Sequence, residues 1–362
     1  MYNQSIDRKE FEAVVRELRR QKESKYDVIV SSDNLIALKD VDGTLKLEVP
    51  FVDESGNIIS RDRYGITDFC HSQISAKTGI PYRYYQRMMD AGKINLLAQN
   101  INAWLPSKEK RLVRILDGKV RAVLSDRYRI IDNYDVLWKS IEEVNKVRSK
   151  YNIRVDIRDL RVTEQHLYLK ITSPDLVGNI NTKRHSGAVN GGIIISNSEV
   201  GAGAFYVKPF MTVLVCSNGL ISENVFKKVH VGKERGIGLI DWSDETLQLE
   251  DLALWSKISD MIHATFNPEI FAQWVDRING VATNEITKPQ LAVDNIIKHF
   301  DLPQKKKEDI LNQFFKEDDT QWGLAMAVTR IAHNEKDYEK AIELEHIGSR
   351  ILELPIEVIN GE

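Results

Sequence analysis

Apolar and polar positions along the chain first alternate and then recur every three or four residues, and the change falls near residue 240. Phe11, Val14, Val15 and Leu18 fall at helical spacing in the basic stretch Asp7 to Lys22, which predicts an opening helix. Leu35 to Leu38 and Leu45 to Val49 flank Asp42-Gly43, a strong hairpin signal, and Ser55-Gly56-Asn57 marks a further turn. Pro81 opens a helix over Tyr82 to Asp90, and Lys93 to Leu105 reads as another, so a helical pair interrupts the strands. Arg111 to Leu116, Asp117-Gly118 and Lys119 to Leu124 then predict a second hairpin. Asn133 caps a helix to about Ser149, and Arg154 to Ile157, His166 to Ile171, Gly192 to Ser196 and Phe205 to Cys216 read as strands. Beyond Asp241, start signals at Ser243, Asn267-Pro268, Thr287 with Pro289, Pro303 and Thr320 predict a bundle of about five or six helices.

The expected fold class is α+β: a mainly antiparallel sheet domain with inserted helices over 1–239, then a mostly helical domain over 240–362. A length of 362 residues suits two domains, and 42% hydrophobic with 28% charged residues is an ordinary globular balance. No apolar run approaches the roughly 18 residues of a membrane span, so no membrane partner is expected. The polar start, Met1 to Glu12, lacks a secretory apolar stretch, and a cytoplasmic location is expected. Cys70 and Cys216 are too few for a four-ligand zinc site. The overall charge of -3 hides an asymmetry: residues 240–362 hold 12 Lys+Arg against 24 Asp+Glu, a net of -12, which leaves +9 for residues 1–239. A basic part joined to an acidic part suggests nucleic-acid binding in the first, although an acidic helical domain is also simply soluble.

The common catalytic constellations are missing from the sequence. There is no phosphate-binding loop; Gly201-Ala202-Gly203 has no third glycine and reads as a turn. There is no nucleophile elbow, zinc-protease helix or deaminase pair. Asp260-x-x-His263 and Glu343-x-x-His346 have the spacing of bundle-core metal pairs, but such pairs arise by chance on acidic helices. No cofactor and no metal are expected, and an enzyme is the less favoured class. A nuclease with dispersed carboxylates would draw on Asp126, Glu199 and Asp68.

The second hairpin carries more. A two-residue Asp117-Gly118 turn pairs Leu116 with Lys119 and sets Arg114 directly opposite Arg121. Strict alternation puts Lys119, Arg121, Val123, Ser125, Arg127 and Arg129 on one face, and Val120, Ala122, Leu124, Tyr128 and Ile130 on the other. Opposed like charges destabilise a strand pair by up to about 1 kcal/mol unless carboxylates or an external polyanion lie across them. The candidate phosphate contacts are therefore Arg114, Lys119, Arg121, Arg127 and Arg129, with Lys183, Arg184, Lys227 and Lys228 extending the track. A solvated basic surface, or neutralisation by a strand such as Asp156 to Asp159, is the competing reading. Arg83 and Arg87 interleave with Tyr82, Tyr84 and Tyr85, a mixture suited to single strands, although tyrosines at helical spacing also build cores.

Several blocks also carry a resemblance. Gly65-Ile-Thr-Asp68-Phe69, Ile80-Pro-Tyr-Arg-Tyr84-Tyr85, Arg114 to Arg129, Ile195-Ser-Asn-Ser-Glu199-Val-Gly201, Val215-Cys-Ser-Asn218-Gly219 and His230-Val-Gly232 together resemble the phage/plasmid-like proteins of domain of unknown function 932. A weaker likeness reaches Trp322 to Thr329. The resemblance implies a mobile genetic element and no particular activity. In that setting the expectation is a homo-oligomeric nucleic-acid-binding protein, single-stranded DNA favoured, working in recombination or replication; the alternative is a protein-interaction factor that inhibits or triggers a host defence protein.

Overall fold

The computed structural model describes residues 5–53, 57–105, 108–182, 186–213, 219–221, 236–237, 240–241 and 243–361. The first helix, α1 (Arg8–Ser24), is followed by β1 (Tyr26–Ser31), β2 (Ile36–Lys39), β3 (Leu45–Val52) and β4 (Ile58–Ile66). Three helices come next: α2 (Asp68–Thr78), α3 (Tyr82–Asp90) and α4 (Ile94–Trp104). Then the hairpin strands β5 (Lys110–Leu116) and β6 (Lys119–Ser125) complete a six-stranded sheet in the order β1-β5-β6-β4-β3-β2. Its pairs are antiparallel except β4 with β6, which runs parallel over two residues.

Val28, Val30, Val113, Ile115, Val120 and Val123 line one face of this sheet, and Ile74, Tyr85, Met88, Leu97 and Ile101 of the three helices close over them as one core. Helix α2 starts where Thr67 Oγ1 accepts from the Cys70 amide and ends at Gly79, whose φ of 68° suits a residue without a side chain.

The long helix α5 (Asn133–Tyr151) leads into β7 (Asp156–Val162), β8 (Leu167–Asn181), β9 (Ser186–Asn197), β10 (Tyr206–Val213) and β11 (Gly219–Ile221), an antiparallel meander in the order β11-β10-β9-β8-β7. The remaining helices are α6 (Asp244–Thr265), α7 (Pro268–Ala282), α8 (Pro289–His299), α9 (Lys306–Phe314), α10 (Gln321–Asn334), α11 (Tyr338–Ile351) and α12 (Ile356–Asn360). The antiparallel sheets and helical C-terminus make the chain α+β.

The middle of the second sheet, over 167–173, 191–197 and 207–213, is buried on both faces. Leu167, Leu169, Ile193, Ile195, Val207 and Met211 point to α5, α6 and α7, while Tyr168, Ile194 and Phe210 point to Ile342 of α11. Helix α7 lies close against the strands because Gly178 and Gly191 bear no side chain: a Cβ at Gly191 would fall 2.6 Å from the Phe271 ring, and one at Gly178 would fall 2.5 Å from Val275.

The switch at residue 240 is one of secondary structure and charge, while a single apolar core runs across it, from Leu18 of α1 through the meander to Ile359 of α12. The separate core belongs to β1–β6 with α2–α4. Among the described residues no helix is long and apolar enough to cross a membrane.

Candidate nucleic-acid interface and the arginine cluster beneath it

The β5–β6 turn forms as expected, with Leu116 paired to Lys119 and both Asp117 (φ 51°) and Gly118 (φ 72°) left-handed. The register then departs from the simple count. A bulge puts Arg114 opposite Ala122 and leaves Arg121 as the extra residue of β6. Alternation breaks with it: Val120 and Val123 both face the three-helix core, whereas Ala122 and Leu124 pack with Leu112 and Val200 on the other side. The strand ends at Ser125, so Arg127 and Arg129 do not continue its face.

The expected open basic face is covered. The loop between β9 and β10 lies across it, and Arg114 is fully buried there. Its guanidinium donates to both carboxylate oxygens of Asp27, at 3.0 and 2.9 Å, and to the Glu199 carbonyl at 2.7 Å. Asp132 Oδ1 stands 3.7 Å away and also pairs with Lys25. Arg121 donates to the Glu199 carboxylate, whose other oxygen accepts the Asn133 amide at 2.7 Å. Burial works against the Arg114 charge, but the Asp27 hydrogen bonds and the charges of Asp27, Glu199 and Asp132 outweigh it and hold the pKa above the ordinary arginine value.

Lys25, Arg114 and Arg121 thus meet three carboxylates, those of Asp27, Asp132 and Glu199, in a cluster with balanced formal charge. Around it Gln73 donates to the Val200 carbonyl at 2.7 Å and accepts from the Val123 amide at 3.0 Å, and the Tyr128 hydroxyl donates to the Ser198 carbonyl at 2.5 Å. The neutralising groups come from β1, the start of α5 and the β9–β10 loop rather than from Asp156 to Asp159.

The other candidates separate. Arg129 is buried and paired with Glu250 at 2.9 Å and Asp251 at 3.4 Å, both on α6. Lys119 and Arg127 are exposed, and neither side chain forms an ion pair with a described residue. Lys183, Arg184, Lys227 and Lys228 lie outside the described residues. The nuclease suspect Glu199 has its carboxylate taken up by Arg121 and the Asn133 amide. His263 points to Glu143, at 3.5 Å, and no group of three metal-ligating side chains occurs among the described residues.

Helix α3 supplies an outward surface. Tyr85 is buried, with its hydroxyl 2.8 Å from Nδ1 of the buried His71, and Met88 lies beside it in the core. Burial pushes the His71 pKa down and the Tyr85 pKa up, so both are neutral near pH 7. With Tyr85 and Met88 turned inward, helical periodicity aims Arg83 and Arg87 outward, one turn apart, and sets Tyr82 and Tyr84 on their flanks. Tyr82 is 37% and Tyr84 49% exposed, both arginines are exposed, and neither arginine pairs with a described carboxylate.

The tyrosines therefore divide, one to the core and two to the surface, which the interleaved sequence alone left open. Asp27 carried no local signal, because it reaches Arg114 across 87 positions of the chain. No family model, no curated protein and no solved structure matches this chain.

Proposed function

We propose that this chain is a nucleic-acid-binding protein that holds single-stranded DNA on the outward face of α3, without chemistry on the strand. The observation that supports the reading is the set Tyr82, Arg83, Tyr84 and Arg87: two exposed rings beside two exposed cations on a helix anchored by buried Tyr85 and Met88. Bases stack on tyrosine faces whatever their identity, while guanidinium groups pair with phosphates. Lys119 and Arg127, both exposed, are the members of the hairpin set that remain open to phosphate. We further propose, on the sequence resemblance to phage/plasmid-like proteins, that such binding serves recombination or replication on a mobile element. Self-association would multiply a modest face along a polymer.

Fluorescence anisotropy of a labelled single strand at several salt concentrations tests this. Four cations at about 0.7 per phosphate give a log-log salt slope of roughly -3, and Arg83→Ala with Arg87→Ala should flatten it by about 1.4. Tyr84→Ala should weaken binding by about 1–3 kcal/mol with little change in salt slope. An unchanged slope and affinity in the double-arginine variant would remove α3 from the interface.

A second reading, binding to a host defence protein, draws on α6. Leu249 and Leu252 are about 60% exposed there, 59% and 62%, beside a cleft that Trp255 and Lys139 line. Exposed apolar side chains beside an aromatic ring are the makings of a protein contact. Leu249→Asp with Leu252→Asp would abolish such an interaction and leave DNA binding unchanged.

A further inference from the structure

The second sheet holds another constellation, remote in sequence from α3, on the face covered by α11. A cleft of about 310 Å³ opens between strands β8 and β10 and this helix, walled by the rings of Tyr168, Tyr206 and Phe300. Along α11 the positions Glu339, Glu343, His346 and Arg350 follow one another at intervals of three or four residues and line it as a stripe.

The stripe has a polarity. Its two carboxylates come first and its imidazole and guanidinium last, and the rise from Glu343 to Arg350 is about 10 Å at ~1.5 Å per residue. A ligand lying along it meets the Glu343 carboxylate at one end, the Tyr206 ring beside His346 in the middle and the Arg350 guanidinium over Phe300 at the other.

The frame beneath is cross-linked by hydrogen bonds. Glu339 accepts from Thr163 at 2.6 Å and from Tyr168, and lies 2.9 Å from His166. Lys170 donates to both oxygens of Glu345, at 2.9 and 2.7 Å, under the same helix. With Glu339 engaged in that frame, Glu343 is the exposed carboxylate at the acidic end. At the other end the Arg350 guanidinium stacks 4.6 Å from the Phe300 ring centre.

We propose that this cleft binds a nucleoside monophosphate, with guanine as its base. A nucleotide is a planar ring that stacks on aromatic side chains, with a hydrogen-bonding edge at one end and a dianion at the other. A carboxylate is acceptor-only, so it selects the base whose Watson–Crick edge offers two adjacent N–H donors, and guanine has that edge. Adenine offers a donor beside an acceptor, and the acceptor would face Glu343 unpaired. The planar fork of Arg350 suits the phosphate, with His346 beside it. A cleft of this size is at the small end of ligand pockets and suits a single nucleotide.

Isothermal titration calorimetry of the full chain with GMP, AMP, guanosine and inorganic phosphate tests the assignment. GMP is expected to bind at least about tenfold tighter than each of the other three, a difference of roughly 1.4 kcal/mol or more. Glu343→Gln should remove the preference for GMP over AMP, and Arg350→Gln the preference for GMP over guanosine. Both side chains are exposed, so melting temperatures should hold and show that the fold is intact. Arg83→Ala with Arg87→Ala should leave GMP binding unchanged, which keeps this site distinct from the strand-binding face. Equal affinity for GMP and AMP, retention of the preference in Glu343→Gln, or no binding heat at millimolar GMP would overturn it.

Discussion

Arg114→Ala is expected to cost about 3–5 kcal/mol of stability, because it leaves the Asp27 carboxylate in a buried ion cluster without its bidentate partner. The Glu199 carbonyl loses its donor as well. Against a typical domain stability of about 5–15 kcal/mol, that is a large fraction. The sequence pattern, with two arginines in repulsion across a hairpin, predicts the opposite sign. The bulge and the balancing carboxylates reverse it.

Urea and thermal unfolding of Arg114→Ala, Asp27→Asn and the double variant form the test. The double variant should be less damaged than the sum of the two singles, since each single change strands the other's charge. A melting temperature within about 2 °C of the parent for Arg114→Ala, or additive losses, would show that the cluster contributes little.

A chain ending at residue 240 is expected to be insoluble or molten. It would lose Ile258 and Ile262 of α6, Phe266 just after it, and Phe271 and Val275 of α7 from one face of the second sheet, and Ile342 of α11 from the other. Each such side chain stabilises by about 1.5–3 kcal/mol when buried. The six together exceed what a domain can spare. Expression of residues 1–240, followed by sedimentation and binding of a hydrophobic dye, measures it. A soluble fragment with a cooperative melt would mean that the meander folds without its helices.

Turn pairs, caps and periodicity revealed many elements, some of them buried on both faces. Helix α1, the β2–β3 and β5–β6 hairpins, α5 and the starts of α6, α7 and α10 follow from periodicity, turn pairs and caps. Strand β4 escaped because Ile58 and Ile59 are both exposed and Arg61, Asp62 and Arg63 follow without alternation. Helix α2 escaped because it buries His71, Ser75 and Thr78 together with Ile74, so that no apolar stripe marks it; Thr67 and Gly79 were its only local signals. Strand β1 is short, and its pairing with β5 joins Tyr26 to Ile115 and Ser31 to Lys110, far apart in sequence.

The same distance hid the site. Hairpin counting saw that Arg114 and Arg121 needed anions, but Asp27 and Glu199 reach them across 87 and 78 positions, where local pattern carries no information. On α3, spacing gave the residues, and only the position of the core could say which tyrosines face out.

The loop from Ser198 to Val200 receives hydrogen bonds from Tyr128, Arg114, Arg121 and Gln73, and so joins the first core to the second. Substitution there is constrained in sets. An exchange at Glu199 that shortens or neutralises its side chain leaves Arg121 unmatched, and one at Asp27 does the same to Arg114. Among descendants of a common ancestor, positions 27, 114, 121 and 199 should therefore be replaced together or not at all, at a rate slower than either core alone would demand. The segments Arg114 to Arg129 and Ile195 to Gly201 would persist in divergent chains for that mechanical reason. Their persistence would then report how the two sheets are held together, while exposed residues, such as those facing out from α3, would be free to change from one lineage to the next.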